Sequence, residues 1–203
     1  LEAAPAAKEG ILAHRSRCSH RGFGGLVALL GLLVLSGVPG AARAAEQYTY
    51  SVGVLGGIGG SVDVDRGDNL NNTGFQLNLA MVTEPRTHVG FRIGKLNLDK
   101  NEFFGSLTNA DLSYVTVAGE YRFQESYYES GVFLGLGGYR LSGNRASDGR
   151  ADDQTSVGLT VGVTGELTIN RWLGVLLEVS GHYVNLDEAK IYGMAHGGVA
   201  VHF

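Results

Sequence analysis

Arg92, Glu120, Arg122, Glu166 and Glu178 stand in stretches where large apolar residues alternate with small or polar ones, and all five take the polar parity. On neighbouring strands such side chains project into one shared space. There they either pair, sealing and stiffening it, or rearrange to pass ions. Buried charges must be paired or neutralised, so a closed Arg–Glu network is the expectation and a gated ion path the alternative. Carboxylates outnumber arginines at this level, which predicts that at least one glutamate has a raised pKa or shares a proton with a neighbour.

His182, His196 and His202 take the same parity on adjacent strands. A metal or general-base role would need them close together. Their positions along the strands predict different heights, so neither a common site nor a metal is expected. Three further motifs invite a chemical reading and are weak. Arg66-Gly67-Asp68 is ordinary turn composition. Asp63-Val64-Asp65 with Asp68 lacks the spacing and closing Glu of a calcium loop. Gly56-Gly57-Ile58-Gly59-Gly60 lies within a strand pattern, with no helix to present its N-terminus to phosphate. No nucleophile–base pair can be read off, so no enzyme and no cofactor is expected.

The elements that must position these residues are strands. Period-two alternation starts at Tyr48 and runs to Phe203. Val52 and Val54 oppose Ser51 and Gly53, and Phe75, Leu77 and Leu79 oppose Gln76 and Asn78. Val89, Phe91 and Ile93 oppose Gly90 and Arg92, with a phase slip near Lys95 that reads as a bulge. The scheme recurs in five more runs, giving eight strands of about ten residues or more, enough for a tilted strand to cross a bilayer. Leu55, Phe133 and Leu176 are large residues on the small parity.

Parity then decides inside from outside. The polar parity is mostly Gly, Ser, Thr and Ala, a poor solvated face but a good lining for a narrow barrel. The apolar parity carries essentially no charge, as a lipid-facing surface requires, because Arg or Lys at mid-membrane costs about 2–4 kcal/mol. Closure follows, since an open edge in lipid leaves backbone groups unpaired. The connections Glu84-Pro85-Arg86-Thr87, Gln124-Glu125-Ser126 and Asn170-Arg171 are short; those around residues 65–71, 97–109, 142–154 and 185–190 are longer and polar. Short periplasmic turns and long outer loops are the outer-membrane arrangement, with both termini periplasmic. Tyr48, Tyr50, Tyr121, Phe123, Tyr128 and Trp172, with Phe203, then form an aromatic girdle at the periplasmic rim.

The first 44 residues read as an address. A basic stretch from His14 to Arg21 precedes an apolar run from Leu26 to Leu35 and then Ala42-Arg43-Ala44. That is the order of a helical, cleavable signal peptide, too short in its apolar run for a membrane anchor. The expected domains are 1–44, extension plus signal peptide, and 45–203, the barrel. Residues 1–13 are long for such a leader, which predicts a translation start downstream of Leu1. Cys18 is the single cysteine, so residues 45–203 have no disulfide framework or thiolate. The 32 glycines argue against a helical protein. Five of the 16 Lys and Arg and two of the 20 Asp and Glu lie in residues 1–44, leaving 11 against 18, or −7, for the rest. Such an acidic balance argues against nucleic acid as a partner.

With these features, residues 45–203 resemble the small eight-stranded outer-membrane barrels of the OmpA- and OmpX-like kind. The fold class expected is all-β: an antiparallel, up-and-down transmembrane barrel. The most specific element of the resemblance is the last strand, where Val199, Val201 and Phe203 are similar to the signal presented to the barrel-assembly machinery. The resemblance implies an outer-membrane address, contact with its lipids and lipopolysaccharide, and passage by periplasmic chaperones. It implies a structural or surface-interaction role, with an extracellular partner met through the long loops. A narrow pore for ions or small solutes is the alternative. A lipid-modifying enzyme is a second alternative, though no serine follows His182 at the second position, where a deacylase of this kind would carry one.

Overall fold

The computed structural model describes residues 49–62, 70–98, 106–124 and 128–203. The expected signal peptide, Tyr48, the motifs at residues 63–68 and parts of the connections 97–109 and 124–126 lie outside them. Eight strands follow one another: β1 Tyr50–Ser61, β2 Asn72–Glu84, β3 Thr87–Asn97, β4 Leu107–Gln124, β5 Tyr128–Arg145, β6 Ala151–Asn170, β7 Leu173–Val184 and β8 Ile191–His202. Each pairs antiparallel with the next, and β1 pairs with β8 to close the barrel. Beyond that ladder, the Phe203 carbonyl accepts bonds from Thr49 and Tyr50, and the Phe203 N–H donates to Tyr50. Closure satisfies the edge groups that an open sheet would leave bare.

Alternation sorts the side chains as the parity predicts. Val54, Phe75, Phe91, Val117, Leu134, Val161, Leu177 and Val199 are exposed on the outer wall, while Ser51, Asn78, Arg92, Thr116, Thr164 and Glu178 are buried inside. The three large residues on the small parity also point inward and are buried: Leu55, Phe133 and Leu176. Room for such residues comes from glycines on neighbouring strands. A Cβ on Gly94 would strike the ring of Tyr114, its β4 partner, and one on Gly162 would lie 2.5 Å from the ring of Phe133. Large and small side chains thus alternate across strands, filling a narrow interior.

Two expectations about the half away from the termini need correction. Lys95 marks no bulge: the β2–β3 register runs unbroken through Phe75↔Lys95 and Gly74↔Leu96, and shifts only between Val82 and Glu84. What changes at Lys95 is the environment. Lys95 still faces outward, where it meets Asp111, and Leu96 still faces inward, where it is fully buried. Nor is 142–154 one long loop. Ser142↔Asp153, Gly143↔Asp152 and Asn144↔Ala151 are paired, so the connection shrinks to residues 146–150. Leu107, Thr108 and Asn109 likewise belong to β4; Asn109 adopts φ 51° at the register shift there, a conformation Asn tolerates better than most residues.

Strand lengths consequently divide the barrel. β4, β5 and β6 have 18, 18 and 20 residues, against 11 to 13 for the other five. At about 3.3 Å per residue, the surplus carries a three-stranded sheet roughly 20 Å further. Residues 151–157 of β6 pair with β5 but not with β7, whose ladder begins at Gly158↔Val184.

Candidate functional site

Inside the barrel two layers lie in series. The one nearer the termini is charged. Arg92 Nε donates to Glu178 Oε2 at 2.9 Å and its Nη2 to Glu120 at 3.0 Å. Arg122 reaches three carboxylates: Glu120 at 2.8 Å, Glu129 at 3.1 Å and Glu166 at 3.0 Å. Glu166 also meets His202 Nε2 at 2.6 Å, and Thr164 donates to Glu120 at 2.8 Å. Strand alternation makes this possible: β3, β4, β5, β6, β7 and β8 each contribute inward positions a few residues from their terminus-side ends. All these charged side chains are buried, where an unpaired ion costs several kcal/mol.

Above the arginines the network turns neutral. Gln76 Nε2 donates to Glu178 at 2.8 Å and Asn78 Nδ2 does so at 3.2 Å. The Tyr114 hydroxyl donates to Gln76 Oε1 at 2.6 Å. The Arg92 guanidinium lies 3.8 Å from the ring centroid of Phe133, so the residue that breaks the alternation on β5 caps a cation.

The second layer is apolar. Leu96, Leu98, Leu107, Leu112, Leu141, Tyr139, Tyr192 and Met194 pack with Val184, Leu186 and Ala189 into one buried cluster. Leu186 and Ala189 come from the β7–β8 connection, which folds over the mouth. Glu188 in that connection accepts bonds from the Ser106 hydroxyl at 2.5 Å and its backbone N–H at 3.1 Å, tying it to the start of β4.

The five charged residues singled out from sequence therefore meet in one network. Glu129, Gln76, Asn78, Tyr114 and Thr164 join it unforeseen, although each takes the inward parity that could have flagged it. His182, His196 and His202 do not share a site. His202 contacts Glu166; His182 lies between Tyr139 Oη at 2.9 Å and Ser180 Oγ at 3.0 Å; His196 pairs in register with Glu178. No group of three or more His, Cys, Asp or Glu able to hold a metal occurs among the described residues. Ser180 and His182 do form a hydroxyl–imidazole pair, with serine two positions before the histidine. They are 4% and 2% exposed, so the pair works as packing rather than presenting a nucleophile.

Of the rim aromatics, Tyr50, Tyr121, Phe123, Trp172 and Phe203 are exposed and Tyr128 is half-buried. Tyr121 and Phe123 stack edge to face at 5.2 Å, and Arg171 lies 4.9 Å from the Trp172 ring. Val199 and Val201 face outward beside Phe203.

A closed antiparallel barrel of eight strands with an apolar outer wall and charges inside is a recognisable combination. This is the fold of the small bacterial outer-membrane barrels. Neisserial surface protein A is similar with a TM-score of 0.59 and 16% identity, over 77% of this chain and 97% of that one. The N-terminal β-barrel domain of Pseudomonas aeruginosa OprF gives 0.56 and 14%, over 77% and 100%. Ail, the attachment invasion locus protein of Yersinia pestis, gives 0.52 and 17%, over 76% and 97%. No protein-family model and no curated protein matches the sequence. With identities this low, the likeness is one of backbone architecture, carried by alternation rather than by particular residues.

Proposed function

We propose that this chain is an integral outer-membrane protein with a structural and surface-interaction role. In this reading its barrel is a sealed anchor for the three-stranded sheet of β4, β5 and β6. The observation that carries it is the doubly filled lumen: a paired Arg–Glu layer below and a buried leucine–tyrosine layer above occupy the interior in series. Outer-membrane lipids, lipopolysaccharide included, then surround the apolar wall. Both termini face the periplasm, and the rim aromatics form the girdle there. Val199, Val201 and Phe203 present the last strand to the barrel-assembly machinery after delivery by periplasmic chaperones. The signal peptide at 1–44 supplies export.

The narrow pore is the reading to exclude. Planar-bilayer recording on residues 45–203 is expected to show no reproducible openings. Stable openings that change in Arg92→Ala would establish the pore instead.

The interaction surface of this anchor is the free edge of β6. Arg145 N–H bonds the Arg150 carbonyl, so in an antiparallel ladder the backbone groups of residues 152, 154 and 156 point at β5. Those of Ala151, Asp153, Thr155 and Val157 point away, and no backbone partner meets them among the described residues. An extended segment of an extracellular partner can add there as a further strand. Amide exchange is expected to be slow at 152, 154 and 156 and fast at 151, 153, 155 and 157. Equal protection at all seven would show an edge already covered.

A further inference from the structure

On the outer wall, apolar residues give way to charge along one row of paired positions. Lys95 pairs with Ser113 and Ser113 with Arg140, so two cations flank a hydroxyl on three adjacent strands. Strands about 4.8 Å apart place the two basic residues roughly 10 Å from each other at their backbones, a span that both long side chains can close around one tetrahedral anion. The next row towards the termini is Ile93, Val115, Gly138 and Val157. Three of these four are exposed apolar side chains. The fourth withholds one.

Gly138 has no packing reason to be glycine. It faces outward, its φ is not positive, and a Cβ there would meet nothing within 4 Å. Its bare backbone opens a surface groove of which Phe75, Ile93 and Val115 form apolar walls and Lys95, Ser113 and Arg140 the charged head. Lys95 is bound to Asp111 at 2.8 Å and Arg140, through Nη2 alone, to Asp153 at 2.6 Å. Both carboxylates stand in the following row, on the side away from the apolar wall. Lys95, Ser113 and Arg140 all line the groove, and Asp153 engages only one nitrogen of the Arg140 guanidinium.

We infer that Lys95, Ser113 and Arg140 bind a phosphate of a lipopolysaccharide-type glycolipid, with one of its acyl chains lying in the groove over Gly138. The inference rests on the outer-membrane reading above, which puts this row at the outer-leaflet headgroups. Charge-assisted bonds to phosphate are the strong member of their class, and a chain seated against Ile93 and Val115 fixes the lipid's position.

The test uses residues 45–203 refolded into phosphatidylcholine nanodiscs, with insertion checked first by a heat-modifiability gel. Purified lipid A is then titrated while backbone amide resonances are followed. Saturable shifts confined to the neighbourhood of residues 95, 113, 138 and 140 are expected. They should weaken about tenfold in Lys95→Ala/Arg140→Ala and for dephosphorylated lipid A. Gly138→Leu, which the open space tolerates, should fill the groove and also weaken them. Failure to insert would sink the outer-membrane reading itself. Insertion without saturable shifts, equal binding of the dephosphorylated lipid, or the same shifts with inorganic phosphate alone would overturn the lipid site only.

Discussion

The two halves of this barrel obey opposite rules. Near the termini the wall is apolar outside and the interior holds Arg92, Arg122 and four glutamates. In the far half the wall carries Lys95, Asp111, Arg140 and Asp153, while the interior holds Leu96, Leu112, Leu141 and Tyr139. Backbone, register and pleat are continuous between them; only the side-chain chemistry inverts. In the proposed outer-membrane setting, lipid covers the apolar wall and polarity moves in, whereas water covers the charged wall and the interior becomes an ordinary globular core, held by burial at about 25 cal/mol per Å².

The contrast can be broken by mutation, and the largest effect is expected in the charged half. Replacing Arg122 by Met strips the shared cation from Glu120, Glu129 and Glu166. Breaking a buried pair in this way costs about 3–5 kcal/mol, measurable by denaturant unfolding in lipid. A loss below about 1 kcal/mol would mean that water reaches the network. In the apolar half, Leu112→Ala or Leu141→Ala leaves a cavity and should cost about 2–5 kcal/mol. Unlike the first, this loss should not change with salt, and amide exchange should quicken at the tops of β4 and β5 while β1 and β2 stay protected.

The junction between the halves is expected to show an intermediate effect. Tyr139 belongs to the apolar cluster, yet its hydroxyl meets His182 Nδ1. Tyr139→Phe keeps the packing and removes the partner of His182 Nδ1, while Nε2 keeps Ser180; the expected cost is about 1–3 kcal/mol by the same unfolding measurement. The smallest effect belongs to the wet surface. Arg140→Ala removes an ion pair whose side chains are 62% and 46% exposed. It should change stability by less than about 1 kcal/mol, leaving the melting curve nearly superimposable on that of the parent.

Legibility in the sequence follows the same division. The half near the termini could be read because its two parities differ sharply: Val, Leu and Phe against Gly, Ser and Thr, with Arg92, Arg122 and four glutamates on the small side. The far half could not, because there both parities are mixed. Leu96 beside Lys95 reads as a slipped phase when the true event is an exchange of polarity between wall and interior at constant phase. The paired stretch at 142–154 reads as loop for a related reason, since Ser142, Gly143, Asn144, Asp152 and Asp153 have turn-like composition. Glu129, Gln76 and Asn78 share the parity of the recognised charges, but parity alone does not say which inward side chains reach one another across the lumen. That depends on register and tilt, which the backbone supplies.

Site-directed spin labelling tests the inversion most directly, since Cys18, the only cysteine, lies outside residues 45–203. Nitroxides are placed at Leu134→Cys on β5 and Asp153→Cys on β6, both on the outer wall, in protein reconstituted into bilayers. The label at 134 is expected to collide with lipid-dissolved oxygen and to be shielded from a water-soluble nickel reagent, and the label at 153 to do the reverse. Equal accessibility to nickel at both positions would show that water covers the whole outer wall and that the two halves do not meet different solvents.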